Sequence, residues 1–136
     1  MTRKIQVGAR IILGLIYFVF GAMGLAMAFG LMPMPEAPSM SPAAEDFMKG
    51  MMGTGYFFPF LKLTETVFGL LLLLGAAVPL SLVVLAPVTL QIILYHLYLS
   101  AGIGEQILPV FMGFAHILAM AAYWDLYKPL FFRKRR

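Results

Sequence analysis

The sequence predicts an all-α integral membrane protein, a four-helix bundle with both termini cytoplasmic, and three observations predict it. First, 62% of the 136 residues are hydrophobic and 12% are charged, with a mean hydropathy of +0.91. A soluble domain is nearer half apolar and a quarter charged, and a chain this short could not hide the excess from water. Second, four apolar stretches each approach the roughly 20 residues that cross ~30 Å of hydrocarbon. Third, basic residues gather at the two ends of the chain, where charge sets orientation.

The four spans read in order as about 7–29, 56–77, 80–99 and 107–127, within a single domain of residues 1–136. Helices are expected because every backbone group must be satisfied without water. Barrel strands would alternate apolar and polar residues, and runs such as LLLLG do not. Residues 30–55 form an extracytoplasmic loop containing Pro33, Pro35, Pro38, Pro42, Glu36, Ser39, Glu45 and Asp46. A short helix is expected near Ala43 to Met52, with Ser41 as N-cap and Pro42 at the first helical position. Gly75 to Pro79 and Ser100 to Glu105 are turns. Pro87 should kink span three and free backbone groups near Val83, whereas Pro109 falls in the first turn of span four.

Arg3, Lys4, Arg10, Lys128, Arg133, Lys134, Arg135 and Arg136 lie at the ends, against Lys49 alone in the long loop. That asymmetry puts both termini inside. Tyr123, Trp124 and Tyr127 suit an inner aromatic belt, and Tyr56, Phe57 and Phe58 an outer one. The tail Arg133 to Arg136 would anchor the inner end of span four to anionic lipid. The +4 net charge therefore implies lipid, not nucleic acid. A competing reading makes span one a signal peptide ending at Ala26-Met27-Ala28, but its apolar run is longer than such a region needs. With no cysteine there is no disulfide, thiolate nucleophile or cysteine-ligated metal.

Polar residues among apolar ones carry the functional information, because a charge at the bilayer centre costs from about 2.5 kcal/mol upward. Lys62, Glu65, Thr66 and Gly69 form one stripe of span two. Gln91, Tyr95 and Tyr98 share a stripe of span three, with His96 beside them. Gly113, His116, Met120 and Tyr123 share one of span four. Counted from the span ends at about 1.5 Å per residue, Glu65, His96 and His116 fall in one outer-half layer. Three readings remain open. Lys62 could pair with Glu65 while the histidines bond backbone carbonyls and fix register. Glu65 and His96 could instead bind a ligand or move a proton in a pocket opening outward. Glu65, His96 and His116 could hold a metal, but no short ligand spacing supports this and no metal is expected. Lys62 could also snorkel toward Tyr56, and Asp125 could pair with Lys128 or Arg10. Gly14, Gly21, Gly24 and Ala28 line one face of span one, and Gly69 and Ala76 one face of span two, for close packing. The eleven methionines read as core filling or as loop contact with the bilayer, not as a soft-metal site.

The run Gly55-Tyr56-Phe57-Phe58-Pro59-Phe60-Leu61-Lys62-Leu63-Thr64-Glu65, then Gly69 to Gly75, Val78-Pro79-Leu80, Leu85-Ala86-Pro87 and His96, resembles the DoxX/DoxX-like family of small bacterial membrane proteins. The opening Ala9 to Gly21 is similar to that family's first span. The resemblance implies a bacterial inner-membrane helix bundle, with Glu65 and His96 as its family-like polar positions. Some relatives are tied to quinone-linked sulfur oxidation or oxidative-stress complexes. Those that handle disulfides do not match this cysteine-free chain.

The expected function is binding of a small apolar or quinone-like molecule between spans two, three and four, as the membrane part of a redox system. The contacts would be Glu65, His96, His116, Lys62, Gln91 and Tyr95, with Tyr98 nearby. A quinone is the one cofactor this reading suggests, and a protein of a redox complex the one partner beside lipid. The alternatives are a membrane accessory protein that anchors a partner, and a small transporter that would have to oligomerise.

Overall fold

The structure, a computed structural model, describes residues 2–34, 40–100 and 102–132. The tail Arg133 to Arg136, and Pro35, Glu36, Pro38 and Ser39 of the first loop, lie outside the described residues. Among the described residues there are six helices and no strand: α1 (Thr2–Ala28), α2 (Pro42–Gly53), α3 (Phe57–Leu74), α4 (Val78–Leu99), α5 (Gly104–Ala121) and α6 (Trp124–Phe131). Helices α1, α3, α4 and α5 are long and apolar enough to cross a membrane. Their outward faces expose Leu15, Phe20, Phe60, Leu90, Phe114 and Ile117. Such a belt is intolerable in water and natural against acyl chains, so the four helices suggest a multi-pass membrane protein.

Contacts run from α1 to α3, α3 to α4, α4 to α5 and α5 back to α1. The closest approach is α1 on α3, made possible by glycine. A Cβ on Gly14 would sit 2.9 Å from Leu72 Cβ, and one on Gly69 would sit 2.6 Å from the Phe18 backbone nitrogen. A Cβ on Gly21 would meet the Thr66 nitrogen at 2.7 Å, and one on Gly24 would strike the Lys62 stem. The predicted small-residue face therefore works as a contact surface for dispersion and helix approach. Ala76, expected to extend that face on span two, instead lies exposed in the turn beyond α3. Leu13 and Tyr17 are buried with Leu72, Leu82 and Leu85, so α1 contributes to the core.

Several boundaries differ from expectation. Helix α5 begins at Gly104, so Pro109 falls beyond its first turn. Span four does not continue to residue 127: α5 ends at Ala121, and Tyr123 (φ −116°, ψ 19°) re-aims the chain into α6. The break lets the Tyr127 hydroxyl donate to the Pro79 carbonyl, 2.8 Å away at the start of α4. The Gly75 to Pro79 turn forms as expected, with Gly75 left-handed at φ 72° and Ala77 at φ 47°. Gly75 carries this freely, whereas Ala77 bears a Cβ there. The Arg10 guanidinium lies against Gly75, while Asp125 has no ion pair among the described residues.

Helix α2 starts as the sequence predicts. Ser41 is its N-cap, with the Ala44 N–H donating to Ser41 Oγ at 3.2 Å and Pro42 in the first turn. The same hydroxyl donates to the Leu99 carbonyl at 2.7 Å, tying the start of α2 to the end of α4. Thr54 then joins α2 to α3: its hydroxyl donates to the Met51 carbonyl (2.9 Å) and accepts from the Phe57 N–H (3.1 Å).

Candidate functional site

The polar stripe of α3 faces inward, as its spacing requires. Glu65 is 2% exposed and Lys62 Nζ lies 2.9 Å from its Oε2. The pair spans a single helical turn, so its geometry comes from the helix itself. The Lys62 stem rests on Gly24 of α1, and its ammonium lies 5.7 Å from the centre of the Phe58 ring. Burying a lone carboxylate is very costly, and the adjacent ammonium removes most of that cost. Lys62 therefore pairs inward and does not snorkel toward Tyr56. Phe58, expected in an outer aromatic belt, is buried instead.

Beside this pair lies a cleft of about 770 Å³, formed by α2, α3 and α4. Lys62, Glu65, Gln91, Tyr95 and His96 all line it. Five of the six predicted contacts thus meet in one place. The cleft was expected between spans two, three and four, but its third wall is α2, not α5. Phe47, Met51 and Thr54 contribute from that side. The Phe47 and Tyr95 rings stand 5.5 Å apart, and the Tyr95 hydroxyl reaches Met40 Sδ at 3.8 Å. Tyr98 is 81% exposed and lies off the site.

His96 Nδ1 is 2.8 Å from the Ile92 carbonyl. A carbonyl oxygen only accepts, so Nδ1 carries the proton and donates. That leaves Nε2 of the neutral ring as an acceptor with no protein partner among the described residues. Glu65 Oε1 is likewise without one, and Lys62 has donors beyond the one given to Glu65. The cleft therefore offers an ammonium donor, a carboxylate acceptor and an imidazole acceptor within mostly apolar walls.

His116, the sixth predicted contact, is elsewhere. It is 4% exposed in the core, with Nε2 2.8 Å from the Leu82 carbonyl and Nδ1 2.7 Å from Thr89 Oγ1. Nε2 must donate, and the single Thr89 hydroxyl proton is shared between His116 Nδ1 and the Leu85 carbonyl, 3.1 Å away. The Tyr17 hydroxyl, 2.6 Å from Thr89 Oγ1, then donates in turn. This chain joins α1, α4 and α5 and leaves no ring nitrogen for a ligand or metal. The layer of Glu65, His96 and His116 is thus not one site, and no three His, Asp or Glu residues among those described are placed to hold a metal. The carbonyl that His116 uses lies one residue before Val83, next to the position where Pro87 withholds an N–H from α4.

Sequence reasoning missed two features. One is α2 as a wall of the cleft. Its signal was present: Ala44, Met48 and Met51 share a face, and Ala44 is 2% exposed. The other is the Tyr17–Thr89–His116 chain. A phenol in the middle of an apolar run needs a partner, and Tyr17 could have prompted the search.

On the outer face of α2, Lys49 Nζ lies 2.6 Å from Glu45 Oε1. The hydrogen bond and charge of Lys49 hold the exposed Glu45 carboxyl below its usual range. Comparison with family models, curated proteins and solved structures finds no match to this chain.

Proposed function

We propose that this chain is a DoxX-like protein of the bacterial inner membrane, a four-helix bundle with cytoplasmic termini. It binds a small apolar or quinone-like molecule in the cleft beneath α2 as the membrane part of a redox-related system. The observation that carries this reading is a buried Lys62–Glu65 pair and the open Nε2 of His96 lining one apolar cleft of about 770 Å³. That size lies within the ordinary range for ligand pockets, roughly 300–1,000 Å³. A quinone ring suits such a lining chemically. Its carbonyl oxygens accept from an ammonium, and the hydroxyls of its reduced form donate to a carboxylate or imidazole. Register-fixing explains the ion pair and the His96–Ile92 bond, but it gives no use for the two acceptors left open.

The orientation follows from charge. Arg3, Lys4, Arg10 and Lys128 lie at the end of the molecule opposite α2, and the cleft then opens on the extracytoplasmic side. The test is binding of a benzoquinone without an alkyl tail to the purified protein in lipid nanodiscs. Glu65→Gln and His96→Ala should each weaken binding by about tenfold or more, as expected for a lost hydrogen bond to a charged or buried group. Equal affinity in wild type and both variants rejects the site.

A further inference from the structure

A second cleft adjoins the first. It measures about 910 Å³ and lies between α1, α2 and α3. Its walls include six methionines: Met23, Met27, Met34, Met40, Met48 and Met52. Among the described residues, the charged groups lining it are Glu45 and Lys49, paired with each other at its exposed edge, and Lys62. Met48, Phe58 and Lys62 line both clefts. Lys62 divides them by chemistry: its stem lies against Gly24, on the methionine side, and its ammonium turns to Glu65, on the polar side.

We propose that the two clefts hold one amphipathic ligand, with its polar head at Lys62, Glu65 and His96 and a long, flexible hydrocarbon tail among the methionines. This inference rests on the head-group reading above and specifies the ligand class. The polar cleft alone fits a compact ring. Together the clefts exceed what a compact ring fills and match a lipid-like molecule. The linings differ in the same sense. Carboxylate, imidazole, amide and phenol gather on one side and orient a head. Unbranched thioethers on the other side adapt to a chain that has no fixed shape. The ligand crosses beside Lys62, whose stem presents methylene groups to the tail while its charge remains with the head.

The experiment compares two probes in the same nanodiscs: a benzoquinone without a tail and the same ring carrying a decyl tail. Each is titrated against wild type, Met23→Trp, Met27→Trp and His96→Ala, so that partition into lipid is common to all. Wild type should bind the tailed probe at least about tenfold more tightly than the tail-less one, since each methylene buried among the methionines adds to affinity. Either tryptophan should fill the methionine cleft, remove most of that gain and leave tail-less binding within about twofold. His96→Ala should weaken both probes alike. Tail-less binding with an equal tail gain in wild type and both tryptophan variants overturns this inference while the head site stands. No tail-less binding to wild type overturns both.

Discussion

The two histidines of this chain lie in two differently built halves. Around His116 everything is closed: both ring nitrogens are bonded, Tyr17 and Thr89 complete the chain, and Leu13, Leu82 and Leu85 fill the space. Around His96 one nitrogen is bonded and the other borders a cleft. The closed half shows what a buried polar group needs to be purely structural, namely a partner for every donor and acceptor. In the open half, Glu65 and His96 each keep one polar atom that borders the cleft instead of a protein partner among the described residues. Burial alone would have pointed to His116, the more hidden of the two histidines.

The comparison breaks most visibly at the α1–α3 contact of the closed half. Gly69→Ala places a Cβ on the backbone of α1, which cannot yield as a side chain can. Thermal unfolding in detergent should show a loss of about 2–3 kcal/mol. Gly113→Ala meets only the tip of Ile93 and should stay within about 0.5 kcal/mol of wild type. Equal effects would mean that the two helices do not approach as described.

The histidines themselves sharpen the contrast. His116→Ala removes the ring bond to the Leu82 carbonyl and leaves a gap in the core, while Thr89 keeps Tyr17 and the Leu85 carbonyl. It should cost about 1–3 kcal/mol of stability in the same unfolding assay. His96→Ala should cost under about 0.5 kcal/mol yet weaken ligand binding. A reversal of that order would place the functional group in the wrong half.

A more local effect falls on α2. Ser41→Ala removes both the N-cap and the tie to Leu99, worth about 1 kcal/mol together. Hydrogen exchange in α2 should quicken while α1 and α3 remain protected. Unchanged exchange in α2 would show that the two bonds to Ser41 do not hold it.

Much of this was legible in the sequence, for definite reasons. Apolar length fixed the four long helices, because crossing hydrocarbon admits few alternatives. Ser41-Pro42 announced α2, since capping is a local matter of one hydroxyl and one missing N–H. Lys62 and Glu65 could be paired because both lie on one helix. What depends on rotation of one helix against another was not legible. The depth of His116 was close to that of Glu65, but depth does not say which way a ring points, and it turned into the core. The end of α5 was missed because Tyr123 and Trp124 suit the inner end of a span and no Gly or Pro marks a break before them. The Tyr127 bond to the Pro79 carbonyl that accompanies the break joins residues 48 positions apart.

The single-turn spacing of Lys62 and Glu65 also bears on biogenesis. Partners on separate helices would each have to enter the bilayer as an isolated charge, at a cost of about 2.5–3.5 kcal/mol apiece on insertion scales. Here the counter-charge travels with the same segment and is in place once α3 coils. The third helix in chain order can thus be handed to lipid as a nearly neutral unit, before any neighbour is available to receive it.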